Sequence, residues 1–111
     1  MTRLPNADQA IVPERKITGY LLADDHPSGG PKSAFFKRFG FSGDRPDELS
    51  AALRVHASAH DVAHARTTVR GMKYEISGPF KAPDGRMPMV RTVWIILSGD
   101  TVPRFVTAMP D

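Results

Sequence analysis

The sequence predicts an α+β fold, with two to three N-terminal helices packed on one face of a four-stranded antiparallel β meander. Three observations predict it. Apolar residues recur at helical spacing up to about residue 60 and alternate from Val62 onward, so helices precede strands. Gly71-Met72, Asp84-Gly85 and Gly99-Asp100 then punctuate the alternating half at hairpin spacing. Finally, the run from Met89 to Leu97 is β-branched and aromatic with apolar residues at both parities, as a central strand should be.

Each element has a local reason. Residues 1 to 12 form a polar, Pro-containing arm that turns apolar at Ala10-Ile11-Val12 and is expected to lie extended against the body. Pro13-Glu14 reads as a first helical turn, and the helix is expected to run to about Ala23 with Ile17, Tyr20 and Leu21 on its buried stripe. The segment from Asp24 to Pro31 is the most turn-prone in the chain and stops that helix. A short helix resumes at Lys32 with Phe35, Phe36 and Phe39 as a core knob, and Gly40 ends it. Asp44 is the expected N-cap and Pro46 a first-turn residue of a third helix reaching about His60, with Leu49, Ala52, Leu53 and His56 inside. Strands are expected at about 63 to 70, 72 to 80, 88 to 97 and 102 to 109.

With 111 residues and 41% hydrophobic content, the chain is expected to be one domain, residues 1–111, with one modest core. No apolar run is long enough to cross a membrane and the first residues lack a secretory core, so a cytoplasmic location without a membrane partner is the expectation. The absence of Cys removes disulfides, thiol nucleophiles and thiolate metal sites. A net charge of +3 and a pI near 9.6 are compatible with a polyanionic partner.

Two-residue turns at those three places fix a register. It pairs Ile76 with Val93, Tyr74 with Ile95, Val69 with Tyr74, and Trp94 with Phe105. Alternation then gives the helices a floor of Ala65, Thr67, Val69, Tyr74, Ile76, Val93, Ile95, Leu97, Val106 and Ala108. The opposite face collects His64, Arg66, Thr68, Arg70, Lys73, Glu75, Ser77, Thr92, Trp94, Ile96, Phe105 and Thr107. Most of that face reads as an ordinary solvated surface, but two large rings side by side on it suit base stacking or a protein partner. One transverse row, Arg66, Ser77, Thr92 and Thr107, offers a guanidinium and hydroxyls to a phosphate. The next, Thr68, Glu75, Trp94 and Phe105, offers a carboxylate base and rings.

Leu4-Pro5-Asn6-Ala7, Gly19-Tyr20-Leu21-Leu22, His26-Pro27 with Lys32, Pro83-Asp84-Gly85-Arg86, Arg91-Thr92-Val93-Trp94-Ile95 and Pro103-Arg104-Phe105-Val106-Thr107-Ala108 together resemble a family of short bacterial proteins of unknown function. More distantly, helices followed by a meander, a His-Pro and Lys loop, and a last strand containing Val-Thr-Ala resemble the barnase, EndoU, colicin and RelE group of metal-independent ribonucleases. That resemblance implies a toxin-like endoribonuclease with Thr107 and its neighbours active on the open sheet face and His26 and Lys32 supplied by the loop.

Under that reading the 2′-hydroxyl attacks the adjacent phosphate, with Glu75 as base or His26 as acid, Lys32 and Arg66 on the phosphate, and Thr107 as a positioning donor. Ser77, Thr92, Trp94 and Phe105 complete the expected RNA contacts. No metal or cofactor is expected, and RNA and a cognate inhibitor protein are the expected partners. The alternative is a non-catalytic module, immunity-like or RNA-binding, that uses the same face. His56, His60 and His64 lack the glutamate of a zincin motif, and Pro31 removes an N–H that a phosphate loop at Gly29-Gly30-Pro31-Lys32 would need.

Overall fold

The computed structural model describes residues 2–27 and 29–111. The N-terminal arm lies against the body but is not extended throughout: Ala7–Gln9 form a short 3-10 helix after Asn6, which sits at φ 54°. Ile11 forms a parallel bridge to Arg104, its N–H donating to the Pro103 carbonyl and its carbonyl accepting from the Phe105 N–H, both at 2.9 Å. Pro13 is the extended residue before the first helix and not part of its first turn. That helix opens as α1, Glu14–Lys16, and continues as the π-helical segment Ile17–Leu21, which buries Ile17 and Leu21.

Helix α2, Gly29–Arg38, starts ahead of the expected Lys32, because Gly29 to Pro31 supply its first turn, where a missing proline N–H costs nothing. Ser28, within the turn-prone segment, lies outside the described residues. Helix α3, Pro46–Ala59, buries Leu49, Leu53, His56 and Ala57. Asp44 does not cap it: Arg45 occupies that position with no side-chain cap, and the Asp44 N–H bonds the Ser42 hydroxyl at 3.1 Å.

Strands β1, Val62–Thr67, β2, Gly71–Pro79, β3, Met89–Leu97, and β4, Arg104–Pro110, form an antiparallel sheet in that order. The architecture is the expected α+β meander, but the registers differ in ways that decide the faces. The connection from β2 to β3 turns at a three-residue tip, Pro83 to Gly85. Ala82 N–H bonds the Arg86 carbonyl and Gly85 N–H bonds the Ala82 carbonyl, both at 3.1 Å, with Gly85 at φ 89°. Ile76 faces Thr92 and Tyr74 faces Trp94.

A slip of one residue turns every side chain of a strand over. Thr92 and Trp94, expected on the open face, are fully buried with Ile76 beneath the helices, and Phe105 is 3% exposed. Val93, Ile95 and Leu97, expected in the floor, take the opposite face. The hairpin β3–β4 keeps the expected Trp94–Phe105 pair and sets Arg104 opposite Ile95. A bulge at Val93/Trp94 then absorbs Val106, so Thr107 pairs with Val93 and Ala108 with Thr92.

The β1–β2 turn is at Val69-Arg70, closed by reciprocal bonds between Thr68 and Gly71, and not at Gly71-Met72. Gly71 has a different task, since a Cβ there would strike the Ile96 carbonyl oxygen. Tyr74 consequently pairs with Ala65 and not with Val69.

The core gathers Leu4, Val12, Ile17, Leu21, Phe36, Phe41, Leu49, Leu53, Ile76, Phe80, Val90, Trp94 and Phe105. The indole and the Phe105 ring meet edge-on with centroids 5.4 Å apart. One polar chain threads this core. The Trp94 Nε1–H donates to Thr92 Oγ1 at 2.9 Å, and Thr92 Oγ1 lies 3.0 Å from His56 Nδ1. His56 Nε2 faces the carbonyls of Val90 at 3.0 Å and Gly78 at 3.2 Å. Two acceptors at Nε2 require the proton there, so Nδ1 accepts from the Thr92 hydroxyl and every member is satisfied by neutral His56.

Burial holds the His56 pKa below its ordinary value of 6.5, the nearby His60 adding to this and the two carbonyl bonds opposing it. Below pH 6.5 the unfolded chain takes up a proton that the folded chain refuses. Stability must then fall with acidification, at a slope approaching about 1.4 kcal/mol per pH unit. Urea melts of wild type should lose stability between about pH 6.5 and 5, above the range in which the carboxylates titrate. The His56→Gln variant, less stable at neutral pH, should show a flatter profile there. An equal slope in both would exclude His56 as its source.

Candidate functional site

At the β4 edge of the sheet, four polar side chains from separate parts of the chain meet. The π-helical segment carries Tyr20 and the following loop His26, whereas Lys32 lies on α2 and Thr107 on β4. Lys32 Nζ donates to the Tyr20 hydroxyl oxygen at 2.6 Å and to Thr107 Oγ1 at 2.9 Å. Tyr20 Oη and Thr107 Oγ1 are 3.0 Å apart, closing a triangle. The His26 ring stands edge-on to Tyr20 at 5.0 Å, and Lys16 Nζ lies 5.3 Å from the centre of the phenol ring.

Local packing explains this convergence. Asp24 accepts from Ser33 Oγ at 2.7 Å and from Lys37 Nζ at 3.0 Å, which pins the loop carrying His26 onto α2. Gly29 opens α2 against the backbone and ring of Tyr20, where any Cβ would collide. The bulge at Val106 places Thr107 opposite Val93, within reach of Lys32 and Tyr20.

The electrostatics of the triangle favour a tyrosine that gives up its proton readily. Burial raises the Tyr20 pKa, but hydrogen bonds from Lys32 and Thr107 and the charges of Lys32 and Lys16 together outweigh it and bring the phenol below its ordinary 10.0. His26 Nδ1 accepts the Gly29 N–H at 2.9 Å. The neutral ring therefore carries its proton on Nε2 and acts as a donor. Lys32 has three N–H groups, two of them spent within the triangle.

Of the residues singled out from the sequence, His26, Lys32 and Thr107 are thus brought together. Glu75 is not. It shares a transverse row with Val93 and Thr107, two strand spacings or about 10 Å from Thr107, and its carboxylate is held by Arg91 at 3.0 Å. Arg66 and Ser77 lie on the open side in different rows, Arg66 beside Lys73 and Ser77 beside Arg91. Thr92, Trp94 and Phe105 are core residues, and a sealed indole offers no face to a nucleobase.

The sequence reading missed Tyr20, whose place on a helical stripe looked like plain core. Its hydroxyl was the available signal, because a half-buried phenol needs a polar partner. It also missed Arg15 and Lys16, which border the concave surface formed by Gly19, Tyr20, His26, Val106 and Thr107. Among the described residues, no group of three His, Cys, Asp or Glu side chains is arranged to hold a metal ion, and no helix is long and apolar enough to cross a membrane.

The family described as "Domain of unknown function (DUF6883)" matches residues 3–111. The chain belongs to this family. No curated protein matches it. Among solved structures, the fold is similar to a chain in a contact-dependent growth inhibition toxin–immunity protein complex from Klebsiella pneumoniae 342. The TM-score is 0.70 at 15% identity, covering 91% of this chain and 99% of that one. At that identity the likeness is one of fold.

The triangle makes a direct prediction for this member of the family. Replacing Lys32 with Met removes both a hydrogen bond and a charge that hold the Tyr20 pKa down, leaving burial less opposed. Tyrosinate absorbance should then show one phenol titrating at higher pH than in wild type. Tyr20→Phe should abolish that transition.

Proposed function

We propose that this chain is a toxin-like endoribonuclease that cleaves RNA without a metal ion, with Tyr20, His26, Lys32 and Thr107 as its working groups. One observation supports this above the others. Residues far apart in sequence converge on a single hydrogen-bonded cluster at the rim of a concave, cation-lined surface. A purely structural contact has no need of an ammonium and a phenol with a lowered pKa at solvent's edge.

The chemistry follows from the donors available. The substrate 2′-oxygen attacks the neighbouring phosphorus and its proton leaves to water, while the bond to the 5′-oxygen breaks. Tyr20 protonates that leaving oxygen, and the phenolate left behind is stabilised by Lys32 and Thr107 before water reprotonates it. Lys32 and Lys16, with the His26 Nε2–H, offset the charge that builds on the phosphate. His26 is in this scheme a hydrogen-bond donor and not the proton source. Glu75, tied to Arg91, is given no step.

The likeness to a chain of a toxin–immunity complex supports a cognate inhibitor protein as the partner of such an activity. It fits an immunity-type binding module as well, and the experiment separates the two. Purified protein should cleave total RNA in EDTA and leave 2′,3′-cyclic ends. Tyr20→Phe, Lys32→Ala and Thr107→Ala should each slow cleavage by about a hundredfold or more, with folding intact by circular dichroism. Cleavage that survives all three variants would place the activity elsewhere, and tight complex formation without any cleavage would favour the binding module.

A further inference from the structure

Beside the Tyr20 cluster lies a second concavity of about 410 Å³, and the two share Arg15, Lys16 and Val106. Its charged lining is entirely cationic: Arg15, Lys16, Arg70, Lys73 and Arg104. Its floor includes Ile95, Leu97 and Val106. Pairing across the sheet sets Arg66, Lys73, Ile95 and Arg104 in one transverse row on the open face, next to the row that holds Thr107. Adjacent rows on one face are about 7 Å apart along a strand, which is the scale of one step along an extended polynucleotide backbone.

Clustered like charges cost stability unless something neutralises them. Arg104 Nε faces Asp100 Oδ2 at 3.9 Å, a long ion pair, while Asp100 Oδ1 accepts the N–H groups of Thr101 at 2.7 Å and Val102 at 3.3 Å. The Arg104 Nε is shielded from water and has no hydrogen-bond partner among the described residues. The groove therefore holds cationic donors over an apolar strip, and it is sized for a single nucleotide.

We propose that this groove is a second phosphate subsite, in which Lys73 and Arg104, flanked by Arg15 and Arg70, hold the phosphate one nucleotide away from the one at Tyr20. The attached ribose and base lie over Ile95 and Leu97. The inference rests on the reading of the Tyr20 cluster as the cleavage site, and it gives the substrate class as a single-stranded segment or loop of RNA. A concavity of about 410 Å³ takes one nucleotide of a strand and not a duplex.

Binding of a fluorescent single-stranded oligodeoxynucleotide, which lacks the attacking 2′-hydroxyl, tests the subsite separately from the chemistry. Across a salt series, the Lys73→Gln/Arg104→Gln double variant should bind about tenfold or more weakly, and its salt slope should be shallower by about 1.4 for two lost contacts. The Lys73→Arg/Arg104→Lys variant should restore most of both, with melting temperatures showing that each variant is folded. Unchanged affinity and slope in the Gln variant would overturn the subsite even if the protein cleaves RNA. Reduced oligonucleotide binding in a protein that never cleaves RNA would leave the subsite standing and remove the catalytic reading. If the Gln variant loses binding to a polyglutamate peptide but not to the oligonucleotide, the groove belongs to an acidic protein partner and the proposal fails.

Discussion

The hydroxyl of Thr92 carries more of this structure than its size suggests. It accepts the Trp94 indole N–H and donates to His56, whose other nitrogen reaches carbonyls on β2 and β3. Through that one oxygen, α3 is locked to the two central strands in a single register. A slip of β3 by one residue would bury Val93 and Ile95 where Thr92 and Trp94 belong and would leave His56 facing no hydroxyl. The buried imidazole, unable to shed its polar atoms, would then pay the desolvation penalty of an unpaired group. Satisfaction of the polar chain and choice of the sheet's faces are thus one constraint.

That constraint also fixes what the open face can be. With Trp94 and Phe105 consumed by the core, the exposed side of the sheet retains no aromatic platform at those positions. It keeps cations: Arg66, Lys73 and Arg104 in one row, and Arg91 bound between Glu75 and Asp111. Under the proposed function, recognition on such a face is a matter of phosphate and shape more than of base stacking. The rings that look like ligand anchors in one dimension are buried against each other in the core.

The helical half of the fold was legible because its signals are local. The stripe of α3, the proline that starts it and the turn chemistry after Leu22 depend on neighbours within a few residues. The sheet was legible in its strand positions and in the β3–β4 pairs nearest the turn, where Gly99 fixes the geometry. It was not legible beyond, because Asp84-Gly85 serves a three-residue loop as readily as a two-residue one, and because the Val106 bulge leaves no mark in composition. Gly71 shows the same difficulty from another side. Its lack of a side chain answers to the Ile96 carbonyl on β3, a partner that only the folded sheet reveals. For the site, His26, Lys32 and Thr107 were visible as polar residues in a loop, at a helix start and on a last strand. Tyr20 was hidden by its resemblance to core.

The bulge links these two levels. Without the extra residue, Val106 would stand opposite Val93, and the Thr107 hydroxyl would pair with Thr92 on the buried side. By absorbing Val106, β4 keeps Phe105 in the core against Trp94, returns Ala108 to the core against Thr92, and still delivers Thr107 to Lys32 and Tyr20. Two apolar contacts and one polar contact that strict alternation could not satisfy together are reconciled by a single irregularity. The arm at Ile11, bonded to Pro103 and Phe105 along the outer edge of β4, holds that strand from its other side. The triangle of Lys32, Tyr20 and Thr107 therefore rests on an edge bonded to the arm and aimed by the bulge, the kind of fixed placement that the proposed cleavage site requires.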